Sequence, residues 1–297
     1  MIFREANSDD IGGLFGIWTA CFTDDYPYIE NYFKYCFPYT KTLVAITDSG
    51  EIASSITLIP ATARIDKKII KGYYLYAVGT KPEHRGFSLS SSLINIAKQI
   101  CRNENLSFLI TKPATDSLYD LYQRYGFICT LYEEQHIETI DSSESHSEKD
   151  TPHTSLLHTI PLTLDFFEES RYVSTNKFLW SREVLNYILL ETALKEGFCV
   201  TASRNEDSSQ FGYFIISPEA GNIETILVLE TNIEESDFSY VYKTIKNQYP
   251  KAKAVKIIRP NSDIANVQNL KRSGLLLPIT EGVDTIIRNF SILLPME

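Results

Sequence analysis

At 297 residues, with 43% apolar and 22% charged residues, the chain has the composition of a core-forming globular protein long enough for two domains. A formal charge of -10 at pH 7 disfavours an electrostatic hold on a nucleic-acid backbone, which rests on clustered Lys and Arg, so no nucleic-acid partner is expected. Five scattered cysteines without a CxxC pair read as reduced thiols, the opening MIFREANSDD is too polar for a signal peptide, and no apolar run approaches a membrane span, so a cytoplasmic protein without a membrane partner is expected.

In chain order, a strand is expected over 2–5, then Ser8-Asp9-Asp10 as a helix start with acids in its first turn. Leu14, Ile17, Trp18, Cys21 and Phe22 recur at helical spacing, and 28–37 reads as a second, aromatic-rich helix. Strands are expected over 42–47, 52–60 and 71–79, with Asp48-Ser49-Gly50 as hairpin chemistry between the first two. A helix over 88–103, a strand over 106–112, a short helix over 117–125 and a strand over 127–131 follow. This order predicts an α/β (α+β) fold, a mixed sheet with helices on its faces.

From Glu133 to Ser155 the sequence turns to Ser, Thr and acids and reads as a linker. Beyond it, helices are expected over 164–173 and 182–196, strands over 198–202, 211–217 and 223–230, and a helix over 238–249. A strand over 254–258, a short helix over 266–273 and a terminal strand over 284–290 complete the reading. From Phe198 the order repeats that from Thr42, and LYQRYGF at 121–127 is echoed by NLKRSGL at 269–275. The expected organisation is a domain over 1–135, a linker over 136–155 and a degenerate repeat over 156–297, each a mixed, mostly antiparallel sheet.

The segment richest in chemistry is YLYAVGTKPEHRGFSLSSSLINIAKQI, from Tyr74 to Ile100. An apolar strand runs through a turn straight into a serine-rich helix start, whose unpaired N–H groups and partial positive charge suit an anion. Arg85 adds a bidentate cation, and Gly86 permits close backbone approach.

PEHRGFSLS resembles the acetyl-CoA pyrophosphate loop of GNAT acetyltransferases, whose pattern is Arg or Gln, two residues, Gly, one residue, Gly or Ala. Arg85 takes the first position, Ser88 the first Gly position and Ser90 the second. SLYDLYQRYGF resembles the family's following helix, with Tyr122, Gly126 and Phe127 in the places of its Tyr and Gly-Phe. The resemblance spans roughly 1–135, and the two-half layout looks most like Eis-like and related tandem GNAT proteins without their third domain.

The resemblance implies transfer of an acetyl or other acyl group from acetyl-CoA to a primary amine, with no metal. Val78 and Thr80 would pair with the pantetheine arm, Arg85, Gly86, Phe87, Ser88, Leu89 and Ser90 would hold the pyrophosphate, and Tyr122 would protonate the leaving thiolate. The strand N–H near Val78 would polarise the carbonyl. Tyr73, Tyr74, Leu75 and Tyr76 offer no carboxylate as general base. Asp24, Asp25 and Glu30, with Tyr76, are the candidate acceptor residues and point to a cationic, partly apolar amine, a small molecule or a peptide. His84 is expected to face solvent or phosphate, and His146, His153 and His158 lack ligand-like neighbours.

Departures keep a second reading open. Serine replaces glycine at both loop positions, either adding donors to phosphate or weakening the site. The alternative is a catalytically weak or inactive GNAT-fold module that binds acyl-CoA or a partner. An aminoacyl-transfer enzyme would want a basic surface this acidic chain lacks. The second half, with the acidic stretch TNIEESD at 231–237 in place of an Arg-Gly loop, is expected to hold no cofactor of its own and to wall the acceptor pocket. Homo-oligomerisation is left open.

Overall fold

Local signals set the first elements. Asn7 caps the chain entering helix α1 (Ile11–Cys21), and the Asp10 carboxylate accepts the Asn7 N–H at 2.8 Å, a reciprocal capping box. Arg4, on strand β1 (Ile2–Glu5), grips the same carboxylate at 2.6 and 2.8 Å. Asp25 caps helix α2 (Tyr26–Tyr35) by accepting the Tyr28 N–H at 3.1 Å. There follow β2 (Lys41–Ile46), β3 (Ile52–Ile65), β4 (Lys68–Thr80), α3 (Leu89–Asn103), β5 (Phe108–Thr111), α4 (Asp116–Arg124) and β6 (Ile128–Thr139). The later elements are β7 (His158–Pro161), α5 (Leu164–Val173), β8 (Phe178–Leu179), α6 (Arg182–Leu194), β9 (Phe198–Ser203), β10 (Gln210–Glu219) and β11 (Asn222–Thr231). The last are α7 (Phe238–Gln248), β12 (Ala254–Pro260), β13 (Leu270–Pro278) and α8 (Val283–Ile286). This computed structural model describes residues 1–65, 68–140, 158–173, 177–203, 210–260, 270–287, 290 and 292.

The chain divides into two units. The first takes Met1–Tyr132, Thr175–Tyr187 and Arg272–Ile292. Its strands run in the order β1-β2-β3-β4-β5-β13-β6, with β8 paired to β3. Neighbours are antiparallel from β1 to β4, whereas β4 and β5 are parallel. On one face, Leu89, Leu93, Ile94 and Ala97 of α3 pack with Leu43, Ile56, Leu58 and Leu75 of the sheet. At Gly72 any side chain would collide with the Phe108 backbone and ring, so glycine sets the close approach of β4 to β5.

The second unit takes Glu133–Ser174 and Ile188–Lys271. Its strands run β7-β9-β10-β11-β12, and β12 pairs antiparallel with Glu133–Thr139 of β6. Here Phe238, Val241 and Ile245 of α7 pack with Phe214, Ile226, Val228 and Val255.

The α/β fold and the order of the expected elements through α7 agree with the sequence reading, to which the structure adds the short strands β7 and β8. Four expectations are corrected. The segment from Glu133 is not linker at its start, because β6 runs to Thr139; the rest of it, with His146 and His153, lies outside the described residues. Leu270–Ser273 belong to strand β13 rather than a helix, since Leu275–Pro278 pair with β5 and extend the chain. Where a terminal strand is expected over 284–290, Val283–Ile286 form the short helix α8, following Gly282 at φ +81°, and positions 288 and 289 lie outside the described residues. The expected boundaries at 135 and 155 give way to units that each draw on both halves of the sequence. No helix among the described residues is long and apolar enough to cross a membrane.

Candidate functional site

β4 and β5 are paired only from Gly72↔Phe108 to Tyr74↔Ile110, and beyond that point they part. Just past the fork, Ser55↔Gly79 and Thr57↔Tyr76 bracket one residue on β3 and two on β4, so β4 bulges at Ala77 and Val78. Ala77 sits at φ +47°, a conformation costly for a residue with a Cβ. The bulge leaves backbone at Ala77 and Val78 outside the regular pairing with β3. At the apex, the Thr111 hydroxyl donates to the Leu75 carbonyl at 3.0 Å. The Tyr122 phenol bonds to Thr111 as well, and its burial pushes its pKa well above the usual tyrosine range.

The turn from β4 into α3 holds the residues offered by the sequence for an anion loop. Thr80 shares a hydrogen bond with Ser54 at 2.8 Å, and its carbonyl accepts from Arg85 Nε at 3.1 Å. That bond anchors the base of an exposed guanidinium. Gly86 lies at φ +85°, and a Cβ there would meet nothing within 4 Å, leaving an open cradle. Phe87 is 70% exposed. Ser88 is the N-cap of α3 at φ +58°, and its side chain makes no capping bond. Its carbonyl accepts from the Ser91 hydroxyl at 2.8 Å. Among the described residues, the Ser88 side chain thus leaves the first turn of α3 at Leu89 and Ser90 uncapped, an arrangement suited to an anion. His84 faces Glu51 at 3.3 Å rather than the loop, and Lys81 holds the same carboxylate at 2.5 Å. Glu51, Glu83 and His84 gather at the surface, but with an ammonium already on Glu51 the group suits an ion pair better than a metal.

The residues offered as acceptor ligands separate. Asp24 accepts the Trp18 indole N–H at 2.6 Å. Asp25 is spent on the α2 cap, and Glu30 is exposed on that helix near Lys34. Tyr76 shares a hydrogen bond with Tyr28 at 2.9 Å. Around them lies a ring cluster in which Trp18, not offered as a site residue by the sequence, joins aromatic residues of α2 and Tyr76. Trp18 stands 4.3 Å from Tyr32, 5.6 Å from Phe33 and 6.1 Å from Tyr76, centroid to centroid. Trp18, Phe22, Tyr32, Phe33, Thr57 and Ala77 line a cavity with about 10 Å³ of free space, room for one water. Also in the first unit, Trp180 packs on Tyr74 at 5.7 Å and Tyr187 on Tyr32 at 6.1 Å, contacts no local pattern announces.

The second unit repeats the bulge, with Ile215↔Glu230 and Ile216↔Val228 enclosing an extra residue on β11. Its interior is filled differently. Arg171 and Glu230 form a buried ion pair, and the Tyr213 phenol donates to the same carboxylate. Ahead of α7, where the first unit has Arg85 and Gly86, stand Glu234, Glu235 and Asp237, with Arg259 paired to Glu235.

Residues 3–129 match the family model of the GNAT acetyltransferase domain. No curated protein matches the sequence. Among solved structures the chain is similar to an Enterococcus faecalis protein described as a probable N-acyltransferase, with TM-score 0.70 and 13% identity over 93% of this chain and 70% of that one. It is similar to a GCN5-related N-acetyltransferase from Anabaena variabilis, with TM-score 0.69 and 16% identity over 94% of this chain and 73% of that one. It is also similar to a tandem GNAT protein from the clavulanic acid biosynthesis pathway, with TM-score 0.56 and 12% identity over 94% of this chain and 98% of that one. At such identities the likeness concerns the fold. Residues 3–129 thus resemble the GNAT acetyltransferase domain, and the chain shares the fold of these solved structures along most of its length.

Proposed function

We propose that the first unit is an N-acyltransferase that uses acetyl-CoA, or a similar acyl-CoA, to acylate a primary amine. The observation that carries the reading is the fork between β4 and β5, bulged at Ala77 and followed by the uncapped start of α3. Acetyl-CoA supplies the acyl group as an activated thioester. The first-turn amides of α3 and Arg85 bind the pyrophosphate. Backbone N–H at the bulge, near Val78, polarises the acyl carbonyl. The acceptor ammonium gives up one proton to water before its nitrogen attacks. The C–N bond forms as the C–S bond breaks, the nitrogen yields its second proton to water, and the leaving sulfur takes a proton from the Tyr122 phenol, which water then replenishes. One proton is released overall. The reading requires no metal.

Calorimetric titration with acetyl-CoA tests it. Micromolar binding, weakened about ten-fold or more by Arg85→Ala through loss of a charge-assisted contact worth ~1.4 kcal/mol, supports the site. Absence of binding heat, with an unchanged melting temperature at millimolar acetyl-CoA, would leave the fold serving as an interaction module.

A further inference from the structure

We infer that the acceptor is a primary monoamine on an aromatic body, an arylalkylamine, rather than a polyamine or an amino sugar. The inference rests on the acyl-transfer reading of the same unit and narrows it through three features of the ring cluster.

Charge comes first. Of three neighbouring acids, Asp25 is bound to the α2 backbone and Glu30 is exposed near Lys34. Asp24 is joined to the cavity wall by the Trp18 indole, which both lines the cavity and donates to the carboxylate. One carboxylate matches one ammonium, and with Asp25 on the α2 cap and Glu30 beside Lys34 the cluster offers no second carboxylate to the further charges of a polyamine.

Hydrogen-bonding capacity comes next. Tyr32 and Thr57 share a bond at 2.9 Å, Thr42 and Thr57 one at 3.0 Å, and Tyr28 and Tyr76 one at 2.9 Å. With those hydroxyls committed to each other, a polyhydroxylated body would be desolvated without replacement partners.

Shape is the third feature. Free space of about 10 Å³ takes the nitrogen-bearing end of an unbranched chain but not a sugar ring. The body then stacks on the half-exposed rings of Phe22 and Tyr76 beside Trp18, where an aromatic group gains most.

The two tryptophans, Trp18 and Trp180, permit a test that needs no turnover. Fluorescence of Trp180→Phe, with Trp18 as sole reporter, is titrated with 2-phenylethylamine, spermidine and glucosamine, and the titrations are repeated in the unsubstituted protein in case the variant folds poorly. Saturable binding of 2-phenylethylamine, at least ten-fold tighter than the other two, is expected. Asp24→Asn, which keeps an acceptor for the indole but removes the charge, should weaken it about ten-fold with unchanged circular dichroism. The same order should appear in kcat/KM with acetyl-CoA. Tighter binding of spermidine or glucosamine, or indifference to Asp24→Asn, overturns the proposal. Absence of acetyl-CoA binding removes acyl transfer instead, and the fluorescence titration still decides the amine site.

Discussion

Thr111 donates its hydroxyl to the Leu75 carbonyl at 3.0 Å, one residue beyond the last parallel pair of β4 and β5, and Tyr122 bonds to the same hydroxyl. The fork is thus pinned by the side chain that orients the proposed acid. Thr111→Val keeps the shape and removes both bonds, each worth about 1 kcal/mol. It should lower kcat about five- to ten-fold, leave acetyl-CoA affinity within two-fold, and be rescued by Thr111→Ser. A merely structural role would lower the melting temperature and spare kcat.

Tyr122 itself makes a pH prediction. Burial raises its pKa, only partly offset by the Thr111 bond, so the phenol keeps its proton beyond the ordinary tyrosine value of about 10. The rate should therefore show no alkaline fall attributable to this residue below pH of about 10. Tyr122→Phe should cost roughly 10²-fold in kcat at unchanged acetyl-CoA affinity. Stopped assays of thiol release across pH check both, and an alkaline limb near neutrality that vanishes in Tyr122→Phe would refute the assignment.

Ser88 occupies a left-handed conformation at φ +58° without a compensating side-chain bond. Ser88→Gly should relieve about 1 kcal/mol of strain and raise the melting temperature by roughly 2–4 °C. If the serine hydroxyl helps hold phosphate, the same variant weakens acetyl-CoA binding. If it only crowds the ligand, binding tightens. Calorimetry with thermal melts separates the two effects.

At the start of the chain, Arg4 holds the Asp10 carboxylate below the usual range, with the Asn7 N–H adding to the effect. Because the folded value lies below the unfolded value of about 3.9, the stabilisation is complete above that pH. It is lost as pH falls toward the folded value. Asp10→Asn should cost about 2 kcal/mol at neutral pH, and the gap from the unsubstituted protein should close in acid denaturation curves.

Elements with dense local signals were legible in the sequence: the start of the first helix from Ser8-Asp9-Asp10, α3 from its apolar face, and the turn into α3 from Pro82, Arg85 and Gly86. What escaped depends on distant partners. Leu275–Leu277 become strand because β5 offers an unpaired edge, while the preceding residues resemble the helix-bearing LYQRYGF in sequence only. The acids near α2 looked equivalent, yet backbone capping takes Asp25, and the Trp18 indole selects Asp24. Trp180 and Tyr187 joined the first unit's rings without any spacing to betray them. Ser88 was readable as a cap residue, but its backbone angle, and hence its silent side chain, was not.

The placement of β13 against β5 sets a schedule for the ribosome. β5 emerges on the order of ten seconds before its partner strand exists, at ordinary elongation rates of about 5–20 residues per second. Throughout that interval the edge at Phe108–Thr111, the floor of the fork, lacks the strand that will cover it, a surface open to mispairing or to a chaperone. Until β13 has left the ribosome the nascent chain lacks part of the fork as it finally stands, so ligand binding should begin only after that strand is in place.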